Sequence, residues 1–114
     1  MLATGAAILF SMAAIKADPL DDARKVYSNC LRTFHNAAVK DKITIPDFRE
    51  KMKTACEAER ASYNAAVVKS ERAFGSSVKD AEAYAADEIS LLVSGTTTSF
   101  ADNAAAGATL VLEP

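Results

Sequence analysis

Two cysteines, Cys30 and Cys56, constrain this chain more than any other feature, because each falls on the apolar face of its own amphipathic segment. At about 100° per residue, Leu20, Ala23, Tyr27, Cys30, Leu31 and Phe34 share one face, with Asp21, Lys25, Arg32 and Asn36 opposite. A second segment repeats the pattern with Phe48, Met52, Ala55, Cys56, Tyr63 and Val67. The cysteines lie almost equally far from the short connection at Lys42 to Thr44, so an antiparallel hairpin brings their sulfurs together as an intramolecular disulfide. That bond sets a register in which facing residues have numbers adding to about 86. Leu20 then meets Ala66, Ala23 meets Tyr63, Phe34 meets Met52 and Ala38 meets Phe48, large against small in most layers. Tyr27 falls opposite Glu59. A carboxylate in an apolar stripe needs a partner, so this pair is read as a buried polar layer.

Local chemistry marks the helix starts. Asp18 as N-cap, Pro19 at the first helical position and Asp21 and Asp22 in the first turn open one helix. Thr44 and Asp47 approximate a capping box, and Ile43 and Phe48 have the spacing of a hydrophobic staple, so the next helix starts at Ile45. It is expected to run without a break to Gly75, which suits a left-handed C-terminal position. Ser77 and Asp80 start a shorter third helix with Val78, Ala81, Ala85, Ile89 and Leu92 on its apolar stripe. After Gly95 the periodicity fades through Thr96 to Gly107. A flexible tail over residues 95–114 is expected, the alternative being that Phe100 and the terminal Leu and Val residues dock into the helical core.

The composition agrees with this pattern. Half of the 114 residues are apolar, with no Trp, 4 Gly and 3 Pro, which favours an all-α domain: a disulfide-clamped antiparallel helical hairpin plus a shorter third helix. The 13 basic and 15 acidic residues give a net charge of -2, too weak a field to recruit nucleic acid or an anionic membrane. Leu2 to Ile15 is apolar or small throughout and shorter than the roughly twenty residues of a membrane-spanning helix. Residues 1–17 therefore read as a signal peptide, although no Lys or Arg precedes the apolar run. The helical domain occupies 18–94, with no stable membrane span in the mature chain and a periplasmic or secreted location in which the disulfide persists.

Reactive constellations are not evident. The one histidine, His35, falls on the polar side of its helix, away from Cys30, and is expected to be a solvated surface residue, so no nucleophile has a base. Two cysteines and one histidine do not make a structural zinc site, and there is no C-x-x-C or phosphate-cradling glycine loop. Neither metal nor cofactor is expected. Glu59 is the one candidate for special chemistry, as an acid of raised pKa in a small enzyme, but a polar layer that fixes register is the favoured reading. Arg49, Lys53 and Arg60 lie along one helix edge able to hold an anionic partner, although nearby Glu57 and Glu71 favour an ordinary solvated face. Phe74, Tyr84 and Leu91 are assigned to core packing rather than to an exposed patch.

The run Tyr27-Ser28-Asn29-Cys30-Leu31, the Ile45-Pro46-Asp47-Phe48 start and Cys56-Glu57-Ala58-Glu59-Arg60 together resemble a group of small uncharacterised exported bacterial proteins. These share an aromatic residue before Cys-Leu, a short loop and a Cys-x-x-Glu-Arg. The resemblance implies a two-cysteine helical hairpin and an exported location, and no activity. A looser likeness is to the periplasmic acid-stress chaperones, which are also small, helical and closed by one disulfide, but around a much longer segment. The function expected is that of an exported, non-enzymatic helical binding protein of the cell envelope with an envelope protein as partner. The rival is a stress chaperone that exposes apolar helix faces. Mass spectrometry of the protein from its host should find a mature chain beginning near Asp18, and an intact Met1 would contradict export.

Overall fold

The computed structural model describes residues 18–114, so the expected signal peptide, residues 1–17, lies outside the described residues. These residues form four helices and no strand: α1 (Pro19–Lys40), α2 (Ile45–Met52), α3 (Glu57–Ala73) and α4 (Val78–Asn103). The starts of α1, α2 and α4 are capped as their sequence dictates, while α3 follows Cys56 with no side-chain cap. The backbone N–H groups of Leu20, Asp47 and Asp80 donate to the side chains of Asp18, Thr44 and Ser77 at 3.0, 3.3 and 3.1 Å, which satisfies donors that a helix start otherwise leaves open. Gly75, at φ +97°, ends α3 in the conformation that favours glycine.

α3 packs on both α1 and α4, α1 also packs on α4, and α2 packs on α4. α1 and α4 run in the same direction, while α2 and α3 together form the leg that runs against them. Cys30 and Cys56 are joined, with their Cα atoms 6.1 Å apart. The core is built by Tyr27, Leu31 and Ala38 from α1, Phe48 and Met52 from α2, Tyr63 and Val67 from α3, and Ala85 and Phe100 from α4. At one end Phe48 stacks on Phe100 with ring centroids 4.0 Å apart, and Phe34 tilts against Phe48 at 5.3 Å.

Two expectations of the sequence are corrected here. The second helix is not continuous. After Met52 the chain tightens, with Lys53 N–H donating to the Glu50 carbonyl and Thr54 N–H to that of Lys51, both at 3.3 Å. Cys56 then takes a left-handed conformation, φ 58°, which costs a residue with a Cβ about 1–2 kcal/mol. Arg60 occupies the break. Its guanidinium donates to the Met52 and Lys53 carbonyls at 3.1 and 3.2 Å and to the Tyr27 hydroxyl at 3.2 Å, so the end of α2 is capped by a side chain from α3. The break also turns α3 relative to the expected register. Phe34 meets Phe48, and Tyr27 packs against Tyr63 at 6.1 Å.

The second correction concerns residues 95–114. The last helix passes through Gly95 and the threonines to Asn103. Thr96 and Thr97 donate their hydroxyls to the Leu92 and Val93 carbonyls at 2.8 Å, which satisfies polar β-branched residues inside a helix. Burial of Phe100, 0 % exposed, anchors the last turns. The docking alternative is thus the observed one for Phe100, whereas Val111, 83 % exposed, stays out.

Replacing both cysteines with Ala should lower the free energy of unfolding by about 2–5 kcal/mol, since it lengthens the free chain of the unfolded state and removes a tie at the left-handed residue. Urea unfolding followed by circular dichroism checks this, with the midpoint shifted down and the folded helical signal retained.

Candidate functional site

The most elaborate polar constellation of the described residues lies on the outer face of α1, where it holds residues 108–114 as an extended strap. After Asn103 the chain reverses over Ala104–Gly107. Ala108 N–H reaches back to the Asn103 carbonyl at 3.2 Å, and Gly107 supplies the left-handed residue, φ +67°, the arrangement of a glycine-terminated helix end. The strap then runs antiparallel to α1. Asn36 donates Nδ2–H to the Leu110 carbonyl and accepts the Leu110 N–H on Oδ1, both at 2.8 Å. Asn29 repeats the pair with Glu113, donating at 2.9 Å and accepting at 2.8 Å. Between them Arg32 Nη1 donates to the Val111 carbonyl.

The spacing explains the fit. Asn29 and Asn36 are two helical turns apart, about 10.5 Å at about 1.5 Å per residue. Backbone groups of both residues 110 and 113 face α1, and three extended residues span about 10 Å, close to that separation. A β-strand, which alternates every two, would turn one of the pairs away. The bonds therefore read the main chain and not its sequence.

Two side chains add selectivity. Leu110, half-buried, lines a cleft of about 290 Å³ between α1 and α4 together with Arg32, Leu92, Gly95 and Thr96. The Glu113 carboxylate accepts from both Arg24 Nη1 contacts, at 3.0 and 3.2 Å, while Arg24 also bonds Asp21. The hydrogen bond from Arg24 holds the Glu113 carboxyl below its ordinary pKa, helped by the Arg24 charge, a Ser28 hydrogen bond and the Arg32 charge, against some desolvation. The same hydrogen bond raises the Arg24 pKa.

His35 is buried, 0 % exposed, contrary to the solvated position expected for it. Its ring meets Phe100 edge-on at 6.0 Å. Because Asn36 Oδ1 already accepts from Leu110, the 2.8 Å contact from His35 Nδ1 requires a proton on Nδ1. Nε2 then accepts from Asn103 Nδ2 at 3.4 Å. The histidine belongs to the wall behind the ladder and orients Asn36.

The residues singled out from sequence are placed differently. Tyr27 is fully buried, but its hydroxyl is met by Arg60 rather than Glu59. Glu59 is half-buried and lines an open groove of about 380 Å³ with Asp22, Ala23 and Val26. It lies close to Cys30 and Cys56, whose sulfurs are bonded to each other and so are not thiolate ligands. Arg49, Lys53 and Arg60 do share a groove, about 460 Å³, against Ile89 and Val93 of α4. Arg60 is engaged as a helix cap, and Lys53 pairs with Glu50 at 2.9 Å. Phe74, Tyr84 and Leu91, expected in the core, are 85, 47 and 66 % exposed. The ladder residues Asn29 and Asn36 were not anticipated. The available sign was two asparagines in the interior of one helix, where that residue is a poor former and needs a reason.

Comparison of the chain with protein-family models, curated proteins and solved structures finds no match for any of them.

The lowered Glu113 pKa fixes the sign of a pH effect. Stabilisation of the strap is complete above the ordinary carboxylate range and is lost as pH falls through the lowered value, when the carboxyl is protonated. The Leu110 and Glu113 amide resonances should move together over that acid range. Glu113→Gln should abolish the transition in nuclear magnetic resonance titrations while leaving the helices intact.

Proposed function

We propose that the chain is an exported, non-enzymatic helical interaction protein of the cell envelope that engages protein partners on the outer face of α1. The observation that carries this reading is the asparagine ladder. Two side-chain amides, each donating and accepting, are set at the spacing of an extended backbone, and α1 makes these bonds without changing its helical path. The disulfide supports a non-reducing compartment, and no helix of the described residues is long and apolar enough to cross a membrane. Membership of the exported two-cysteine hairpin group is part of the same reading, supported by the Cys30–Cys56 bond that the group's spacing implies.

One observation favours an acid-stress chaperone as a second reading. The Arg24–Glu113 pair that closes the strap weakens on acidification, so a loosened strap would uncover the cleft next to exposed Leu91 at the pH where client proteins unfold.

A photo-crosslinking side chain placed at Thr33, exposed on the ladder face, should give a discrete protein adduct in the intact envelope of the host. The adduct should be lost with Asn29→Ala, and the same label at Lys69 on α3 should not form it. Equal labelling from both positions, or no adduct from Thr33, refutes an α1 interaction surface.

A further inference from the structure

The way residues 108–114 are held is unlike the way a structural tail is usually held. A segment that serves only to close a core buries its apolar side chains and leaves its backbone to solvent or to secondary structure. Here Val111 and Leu112 are 83 and 47 % exposed, while N–H and C=O of both Leu110 and Glu113 are bonded to side chains of α1. Main-chain recognition at a three-residue repeat accepts many sequences. Selectivity falls to the half-buried aliphatic side chain of Leu110, beside the α1–α4 cleft, and to the carboxylate at Arg24.

This inference rests on the interaction reading above and names the partner's chemistry. We propose that the α1 face from Arg24 to Asn36 is a docking site for extended protein segments that carry an aliphatic residue and, three positions later, a carboxylate. Residues 108–114 are its resident occupant, replaced when such a segment of another protein binds. Charge argues for an acidic partner segment: Arg24 and Arg32 both face the strap, and Asp21 is the acid that shares Arg24. Form argues for an extended segment, since a backbone free of internal bonds offers its N–H and C=O groups to Asn29 and Asn36. The resident segment is tethered through a short turn, so it competes at an effective concentration of roughly millimolar order. An incoming segment faces a site that is open only part of the time, and its apparent affinity falls by that fraction.

The test uses the full chain with a weakened resident segment. Leu110→Pro removes the N–H that Asn36 accepts, and Glu113→Lys turns the Arg24 contact into a repulsion; neither changes a residue of α1. The probe is a fluorescent peptide with the sequence of residues 108–114, followed by anisotropy, with circular dichroism and an intact disulfide as checks of folding. The peptide should bind the double variant at least tenfold more tightly than the wild-type chain. Adding Asn29→Ala should weaken it at least tenfold. A peptide with lysine in place of its glutamate should fail on the double variant and recover on Leu110→Pro combined with Arg24→Glu, where the resident Glu113 is repelled instead. Glu113→Lys alone supplies a milder variant that should show the same order of affinities.

Absence of binding to both weakened variants overturns the proposal, as does binding that ignores Asn29→Ala and the charge swap. A wild-type chain found by light scattering as a dimer with exchanged straps also overturns it, because the site then belongs to a second copy. If the Thr33 adduct forms while the peptide fails, the interaction reading stands and this one falls; if the peptide binds while Thr33 gives no adduct, the face holds only its own segment and both readings fall.

Discussion

The left-handed turn at Cys56 and its bond to Cys30 set the geometry on which the other contacts depend. A continuous helix from Ile45 to Ala73 would present one face to α1 along its whole length. The break gives α2 and α3 separate courses, so α2 sets Phe48 between Phe34 of α1 and Phe100 of α4 while α3 packs along both α1 and α4. A break leaves carbonyls without partners, and that is why Arg60 matters. Its side chain spans the α2 end and the Tyr27 hydroxyl, joining three helices at the level of the disulfide. Covalent and polar ties at one level act as a pivot, and the aromatic cluster of Phe34, Phe48, Phe100 and His35 closes the fold beyond it.

What the sequence made legible, and what it hid, divides along the range of the interactions involved. Asp18, Thr44, Ser77 and Gly75 act on groups within a few residues of themselves, and all four do in the structure what their chemistry implies. The disulfide was legible because two helical periodicities, each strong alone, agreed on it. The break at Lys53 to Cys56 carries neither Gly nor Pro and is imposed by packing, so periodicity ran straight through it. The same omission misplaced Tyr27's partner by one position, from Glu59 to Arg60.

The candidate site was less legible than the fold. His35 sits on the side of α1 that a two-helix hairpin leaves wet, and it is buried because α4 covers that side with Phe100 and Asn103. Gly95 and the following threonines look like a helix end because their propensities are poor, but backbone-directed hydroxyl bonds and the Phe100 anchor outweigh propensity. Asn29 and Asn36 read as ordinary polar residues because their partners lie 84 and 74 residues away. A ladder between elements so distant leaves no periodic trace in either one.

The turn at Ala104–Gly107 divides the molecule energetically. On its near side are aromatic rings, a disulfide and buried helix faces; on its far side are mainly hydrogen bonds at the protein surface. Lifting the strap breaks those bonds and rehydrates both partners, but uncovers little apolar surface beyond that around Leu110. Such an opening is a sub-global event, distinct from the cooperative loss of the helices. Because denaturant sensitivity scales with the surface exposed, it responds only weakly to urea. The strap and the bundle thus have separate stabilities within one chain, and amide hydrogen exchange resolves a transition that a helical unfolding curve passes over.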